Sequence, residues 1–123
     1  MIPKFRAWDG GSLCRMYQPE EVMVGNGDIW IHDEDFNVGE WAVNNDLNLM
    51  QSTGLKDLNG VEIFEGDIVR FFDSLYTVFY DIKEGSYRLK PHDDRWVVDY
   101  MSNFSSEESF EVVGNIYENK EYL

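Results

Sequence analysis

Short stretches in which apolar and polar residues alternate, broken at close intervals by glycine or by Asn/Asp pairs, run through most of the chain and predict strands rather than helices. Lys4-Phe5-Arg6-Ala7-Trp8 alternates before the turn signal Asp9-Gly10-Gly11. Leu13-Cys14-Arg15-Met16-Tyr17 can return antiparallel to it, with Cys14 read as a strand residue. Glu21-Val22-Met23-Val24 and Asp28-Ile29-Trp30-Ile31 flank Gly25-Asn26-Gly27 and predict a second hairpin. Residues 36–48 show no clear period. Within them Trp41 reads as an anchored aromatic and Asn44-Asn45-Asp46 as a loop, and an extended pattern resumes from Leu47 to Ser52.

The middle of the chain also permits an argument about register. A two-residue Asn59-Gly60 loop would set Asp57 against Glu62, placing like charges opposite each other. A three-residue loop with Gly60 in the left-handed region instead pairs Lys56 with Glu62 and Leu55 with Ile63. Each such pair contributes only about 0.2–1 kcal/mol, but charge and apolar matching both select the second register. Glu65-Gly66 then breaks the chain. Asp67-Ile68-Val69-Arg70-Phe71-Phe72 follows as a strand and turns at Asp73-Ser74. The next strand places Tyr76, Val78, Tyr80 and Ile82 on one face, and Ser86-Tyr87-Arg88-Leu89-Lys90 is half-buried.

Between Asp93 and Ser109 the period changes. Trp96, Val97, Tyr100, Met101 and Phe104 recur at helical spacing, with Asp93 or Asp94 as a cap, and predict one short helix. A closing strand runs from Phe110 to Tyr117. The expected fold class is mainly β, a β-rich α+β arrangement with N-terminal β-hairpins and a small SH3-like, barrel-like C-terminal part. The expected organisation is a single domain over 1–123, with a possible division into 1–52 and 53–123.

Charge narrows the partners. The net charge of −14, from 24 acidic and 10 basic residues, argues against duplex nucleic acid and anionic membranes, both of which would repel the chain. The acids are spread along the chain, so the bland reading of a solubilising surface precedes that of an acidic decoy for a nucleic-acid enzyme. One cysteine excludes an intrachain disulfide and a thiolate metal cage. No window approaches the ~18 apolar residues of a membrane span, and a reducing cytoplasm is the expected compartment. Trp8, Trp30, Trp41 and Trp96, with Phe71, Phe72, Phe79 and Tyr80, exceed what a small barrel core holds. Stacking single-stranded bases on them would need a basic groove, for which only Arg70, Lys83, Arg88 and Lys90 offer a cluster. Burial between copies of the chain accommodates them without that conflict.

Catalytic chemistry finds little support. His32 beside Asp33, Glu34 and Asp35 is the candidate metal set, because imidazole and carboxylates suit a divalent cation. Consecutive loop residues do not preform a cage, however, and a solvated acidic turn is the simpler reading. His92-Asp93-Asp94 repeats the idea with fewer acids, and a Cys14–His nucleophile would need a positioned base and an oxyanion site. No catalytic residues and no cofactor are expected, and the chain reads as a non-enzyme.

Two segments resemble the signature of the YopX family. One is Leu49-Met50-Gln51-Ser52-Thr53-Gly54-Leu55-Lys56-Asp57-Leu58-Asn59-Gly60-Val61-Glu62-Ile63-Phe64-Glu65-Gly66-Asp67-Ile68-Val69. The other is Val113-Gly114-Asn115-Ile116-Tyr117-Glu118-Asn119 with the tail that follows. The opening Lys4-Phe5-Arg6-Ala7-Trp8-Asp9 and Met16-Tyr17 also fit. Leu58, Lys120 and Tyr122 depart from the usual residues, and 36–48 carries no part of the resemblance. The resemblance implies a phage or prophage protein, β-rich with a barrel-like part and homo-oligomeric. A self-associating module of this kind is expected to take a host or phage protein as a further partner. The resemblance supplies no catalytic or binding residues to carry over. Read physically, Gly54, Gly60, Gly66 and Gly114 answer backbone demands, and Leu55, Ile63, Phe64, Ile68 and Val69 are expected in the core.

Overall fold

The computed structural model describes residues 3–11, 13–32, 41–93 and 110–122, together with the main chain of Asp99 and Tyr100. The chain divides into two compact units, Met1–Gln51 and Ser52–Leu123. No described helix is long and apolar enough to cross a membrane.

In the first unit, β1 (Phe5–Asp9) pairs antiparallel with β2 (Arg15–Tyr17), Ala7 facing Tyr17. Its other edge takes the start of β6 (Asn48–Lys56), with Ala7 opposite Leu49. A three-stranded antiparallel sheet holds β4 (Asp28–His32) between β3 (Val22–Gly25) and β5 (Trp41–Val43). The β3–β4 turn is the predicted one. Asn26 and Gly27 both take positive φ, 54° and 78°, as a two-residue turn matched to strand twist requires. Ala7, Tyr17, Val22, Ile31 and Leu47 form the core, flanked by Phe5, Ile29 and Leu49. Two expectations are corrected. Cys14 precedes β2 in a turn, at φ 47° and exposed, because the chain needs a left-handed residue there to reverse. Trp41 is 41% exposed, since the face of β5 that carries it lies opposite the core-facing Ile29 and Ile31 side of the sheet.

In the second unit, the rest of β6 pairs with β7 (Glu62–Phe64), and Lys56 faces Glu62 as the register argument requires. The loop closes through Asp57 N–H to Val61 carbonyl, 2.8 Å, and Gly60 N–H to Asp57 carbonyl, 3.0 Å, with Gly60 at φ 81°. Leu55 departs from expectation. A bulge between Ser52 and Lys56, with Gly54 at φ 81°, takes Leu55 out of simple pairing with Ile63 and leaves it 36% exposed. Beyond it, β8 (Asp67–Phe71), β9 (Ser74–Asp81), β10 (Ser86–Pro91), β11 (Asp99–Tyr100) and β12 (Phe110–Asn115) form one antiparallel sheet in the order β11-β10-β9-β8-β12.

The inner face of that sheet gathers Val69, Tyr76, Val78, Leu89 and Phe110 around Ile63 of β7. Edges β11 and β12 do not pair with each other, so the curled sheet is a half-barrel. The fold is mainly β, as the alternation implies. The expected period-two face of β9 is buried at Tyr76 and Val78, but Tyr80 and Ile82 are exposed because they run past the end of the core. At Asp99 and Tyr100 the chain is a strand on β10, with Tyr100 opposite Arg88, where a helix was expected. A free edge of main-chain donors and acceptors on β10 competes with helix formation there. The rest of the expected helix, residues 94–98 and 101–109, lies outside the described residues.

Candidate functional site

Of the candidate metal set, His32 ends β4 opposite Trp41, the two rings 5.4 Å apart and tilted by 43°. Asp33, Glu34 and Asp35 lie outside the described residues. Among the described residues no group of three His, Cys, Asp or Glu is placed to hold a metal ion. His92 shares a 2.8 Å hydrogen bond between its Nε2 and Thr77 Oγ1. Cys14 Sγ lies 4.0 Å from the Gly11 carbonyl. Cys14 is thus coupled to no base there, and in the Thr77–His92 hydroxyl–imidazole pair His92 Nδ1 finds no third group to orient the ring among the described residues.

Several carboxylates and amides that the fold brings inside serve the main chain. Asp57, 4% exposed, accepts from the N–H groups of Asn59 (2.9 Å) and Val61 (2.8 Å) through Oδ1. Through Oδ2 it accepts from Val112 of β12 at 2.9 Å, while Leu58 N–H bonds the Phe110 carbonyl at 2.9 Å. One carboxylate therefore closes the hairpin loop and joins it to a strand 55 positions away. Asp67 Oδ2 accepts from Phe64 N–H at 2.8 Å and closes the turn into β8. Gly66 donates to the Val78 carbonyl and accepts from Ile116 N–H, at 2.8 and 2.9 Å, so the two signature segments meet at this glycine.

At the second segment, Asn115 Oδ1 accepts from Tyr117 and Glu118 N–H, while Asn115 N–H donates to Asn119 Oδ1 at 3.1 Å. Gly114 lies against that asparagine. A Cβ there would sit 2.6 Å from Asn119 Cγ. Sequence reasoning assigned the glycines to backbone demands but missed Asp57, Asp67 and Asn115 as buried acceptors. An acid or amide at a turn start is a local signal for part of this, but the distant partners have none.

Among the described residues, two ionisable groups are perturbed. The Arg88 guanidinium, bonded to Asp81 at 2.9 Å, holds that carboxyl below its usual range. Burial, with the Glu65 charge as a lesser cause, pushes the Tyr87 phenol up.

The described surface also carries exposed apolar groups. Met23, Trp30 and Val43 form one cross-strand row on the face of the three-stranded sheet away from the core, with Trp41 next along β5. Met23, Val43 and Trp41 are exposed, and Trp30 Nε1 donates to the Gly25 carbonyl at 3.2 Å. In the second unit Phe72, at φ 54° on the β8–β9 turn, is 81% exposed.

Residues 4–123 match the family model described as YopX protein. The chain belongs to the YopX family. Its solved structural neighbours include protein EF1440 from Enterococcus faecalis, similar over 100% of this chain and 99% of that one, at 29% identity and a TM-score of 0.67. No curated protein matches the chain. Among the described residues the YopX signature is thus a set of turns, core positions and buried acceptors.

Proposed function

We propose that this YopX chain is a non-enzymatic accessory protein of phage or prophage origin, a module that self-associates and binds a further protein in the bacterial cytoplasm. The observation that carries the reading is the row Met23, half-buried Trp30 and Val43 with Trp41 beside it, an apolar sheet face exposed at Met23, Val43 and Trp41 on a chain of net charge −14. Exposing large apolar groups side by side costs solubility, and a partner surface is the ordinary way to cover them. The signature residues support the non-enzymatic part, because their polar groups are consumed by main-chain hydrogen bonds.

Light scattering on the purified chain at tens of micromolar tests self-association, with an oligomer expected. A clean monomer sinks that part of the proposal. Trp41→Ser with Val43→Lys is expected to weaken the assembly without unfolding it, because both side chains are exposed.

A further inference from the structure

Phe72 carries two costs at once. It is the first residue of the two-residue Phe72-Asp73 turn between the paired Phe71 and Ser74. Its φ of 54° is one that glycine adopts freely, whereas a bulky side chain meets its own backbone there. Its ring is also 81% exposed, touching Phe71 edge-on at 4.5 Å between centroids. Neither turn chemistry nor core packing favours phenylalanine at this position.

The first unit holds the complementary shape. Pro3, Phe5, Pro19 and the β3 residues Val22, Met23 and Val24 line an open cleft of about 350 Å³ of mixed polarity, with Lys4 as its charged wall. An apolar cavity of ~150 Å³ already accepts a benzene ring, so this cleft has room for a phenyl group and adjoining main chain. Asp73, next to Phe72, has the charge opposite to Lys4. Met23, whose side chain belongs to the cross-strand row described above, also lines the cleft.

We propose that Phe72 of one copy seats in the cleft between Pro3, Phe5 and Val24 of a second copy, with Asp73 brought to Lys4. The inference rests on the self-association reading and specifies its contact. Knob and cleft are different surfaces and each copy carries both, so the contact closes either reciprocally, in a two-fold dimer, or head to tail, in rings and chains.

The test uses sedimentation velocity on the full chain and on two variants, Phe72→Gly and Val24→Glu. Phe72→Gly removes the knob while relaxing the turn, so its association should weaken by at least ~30-fold, the scale of an interface hot spot, while its thermal midpoint holds or rises against wild type at a dilution where both are monomeric. Val24 is exposed, so a glutamate there blocks the cleft without entering the core. Each variant alone is expected to be monomeric. Their equimolar mixture should give a 1:1 heterodimer, because one retains only the cleft and the other only the knob.

A wild-type monomer at these concentrations overturns the self-association reading and this contact with it. A wild-type oligomer that Phe72→Gly leaves intact, or two monomeric variants that fail to pair on mixing, overturns the knob-in-cleft contact alone.

Discussion

Replacing Asp57 by alanine removes the acceptor for three main-chain N–H groups, and the structure sets the cost of each. Val112 is half-buried on β12, and its hydrogen bond to a charged acceptor is worth about 1.5–3 kcal/mol. Asn59 and Val61 are exposed, so water can replace the carboxylate and each loss falls nearer ~0.5 kcal/mol. The sum, about 3 kcal/mol, is a large share of the ~5–15 kcal/mol that holds a domain folded. Asp57→Asn separates the contributions. Its oxygen can still serve the loop, but its amide then faces Val112 donor to donor, and the expected cost is ~2 kcal/mol. Urea is the suitable denaturant, because an ionic one would screen a net charge of −14. With a slope near ~2 kcal/mol/M the midpoint should fall by roughly 1.5 M for Asp57→Ala. The comparison needs one protein concentration throughout, since association shifts apparent stability. Amide exchange at Val112 should accelerate with the unfolding. A midpoint shift below about 0.3 M, or unchanged protection at Val112, would refute the reasoning.

Three further outcomes follow from the same structure. Gly114→Ala should lower stability by about 1–3 kcal/mol in thermal unfolding, because the new Cβ meets an Asn119 side chain that is held by the Asn115 N–H. Truncating Asn119 to glycine in the same chain should recover part of the loss. Lys56→Glu should cost about 0.5–1 kcal/mol by setting like charges across the hairpin, and Glu62→Lys added to it should restore the loss. Stability should also depend on pH at both ends. Tyr87 has a folded pKa above its unfolded value of 10.0, so its contribution is present below about pH 10 and is lost as pH rises through the folded value; Tyr87→Phe should remove that alkaline limb. Asp81, with a lowered pKa, contributes above its unfolded value and loses the contribution as pH falls, and Asp81→Asn should flatten the acid limb.

Much of the local structure was legible because local backbone demands are written in residue type. Asn26-Gly27 could be placed in a tight turn since both positions need positive φ, and the Lys56–Glu62 register followed from charge and loop length. Leu55 and Cys14 escaped that logic. Bulges and left-handed turns at non-glycine residues shift a side chain without altering the apolar pattern that suggests its place. The helical spacing around Tyr100 misled for a related reason. Period alone does not weigh the hydrogen-bonding edge that β10 offers to the chain at Asp99 and Tyr100.

The candidate site was less legible than the fold. His32 could be named, and its ring lies beside Trp41, while Asp33, Glu34 and Asp35 fall outside the described residues. Phe72 looked like an ordinary member of an apolar strand, and neither its φ nor its exposure is encoded by its neighbours.

By itself the sequence determined the β class, the main hairpins and the family, because alternation, turn glycines and a long specific motif are properties of consecutive residues. Only the tertiary structure decided that Asp57 reaches Val112, that Gly66 joins the two signature segments, and which aromatics remain outside the cores. Those outcomes depend on groups distant along the chain meeting in space. The free energy of such a meeting belongs to neither segment alone.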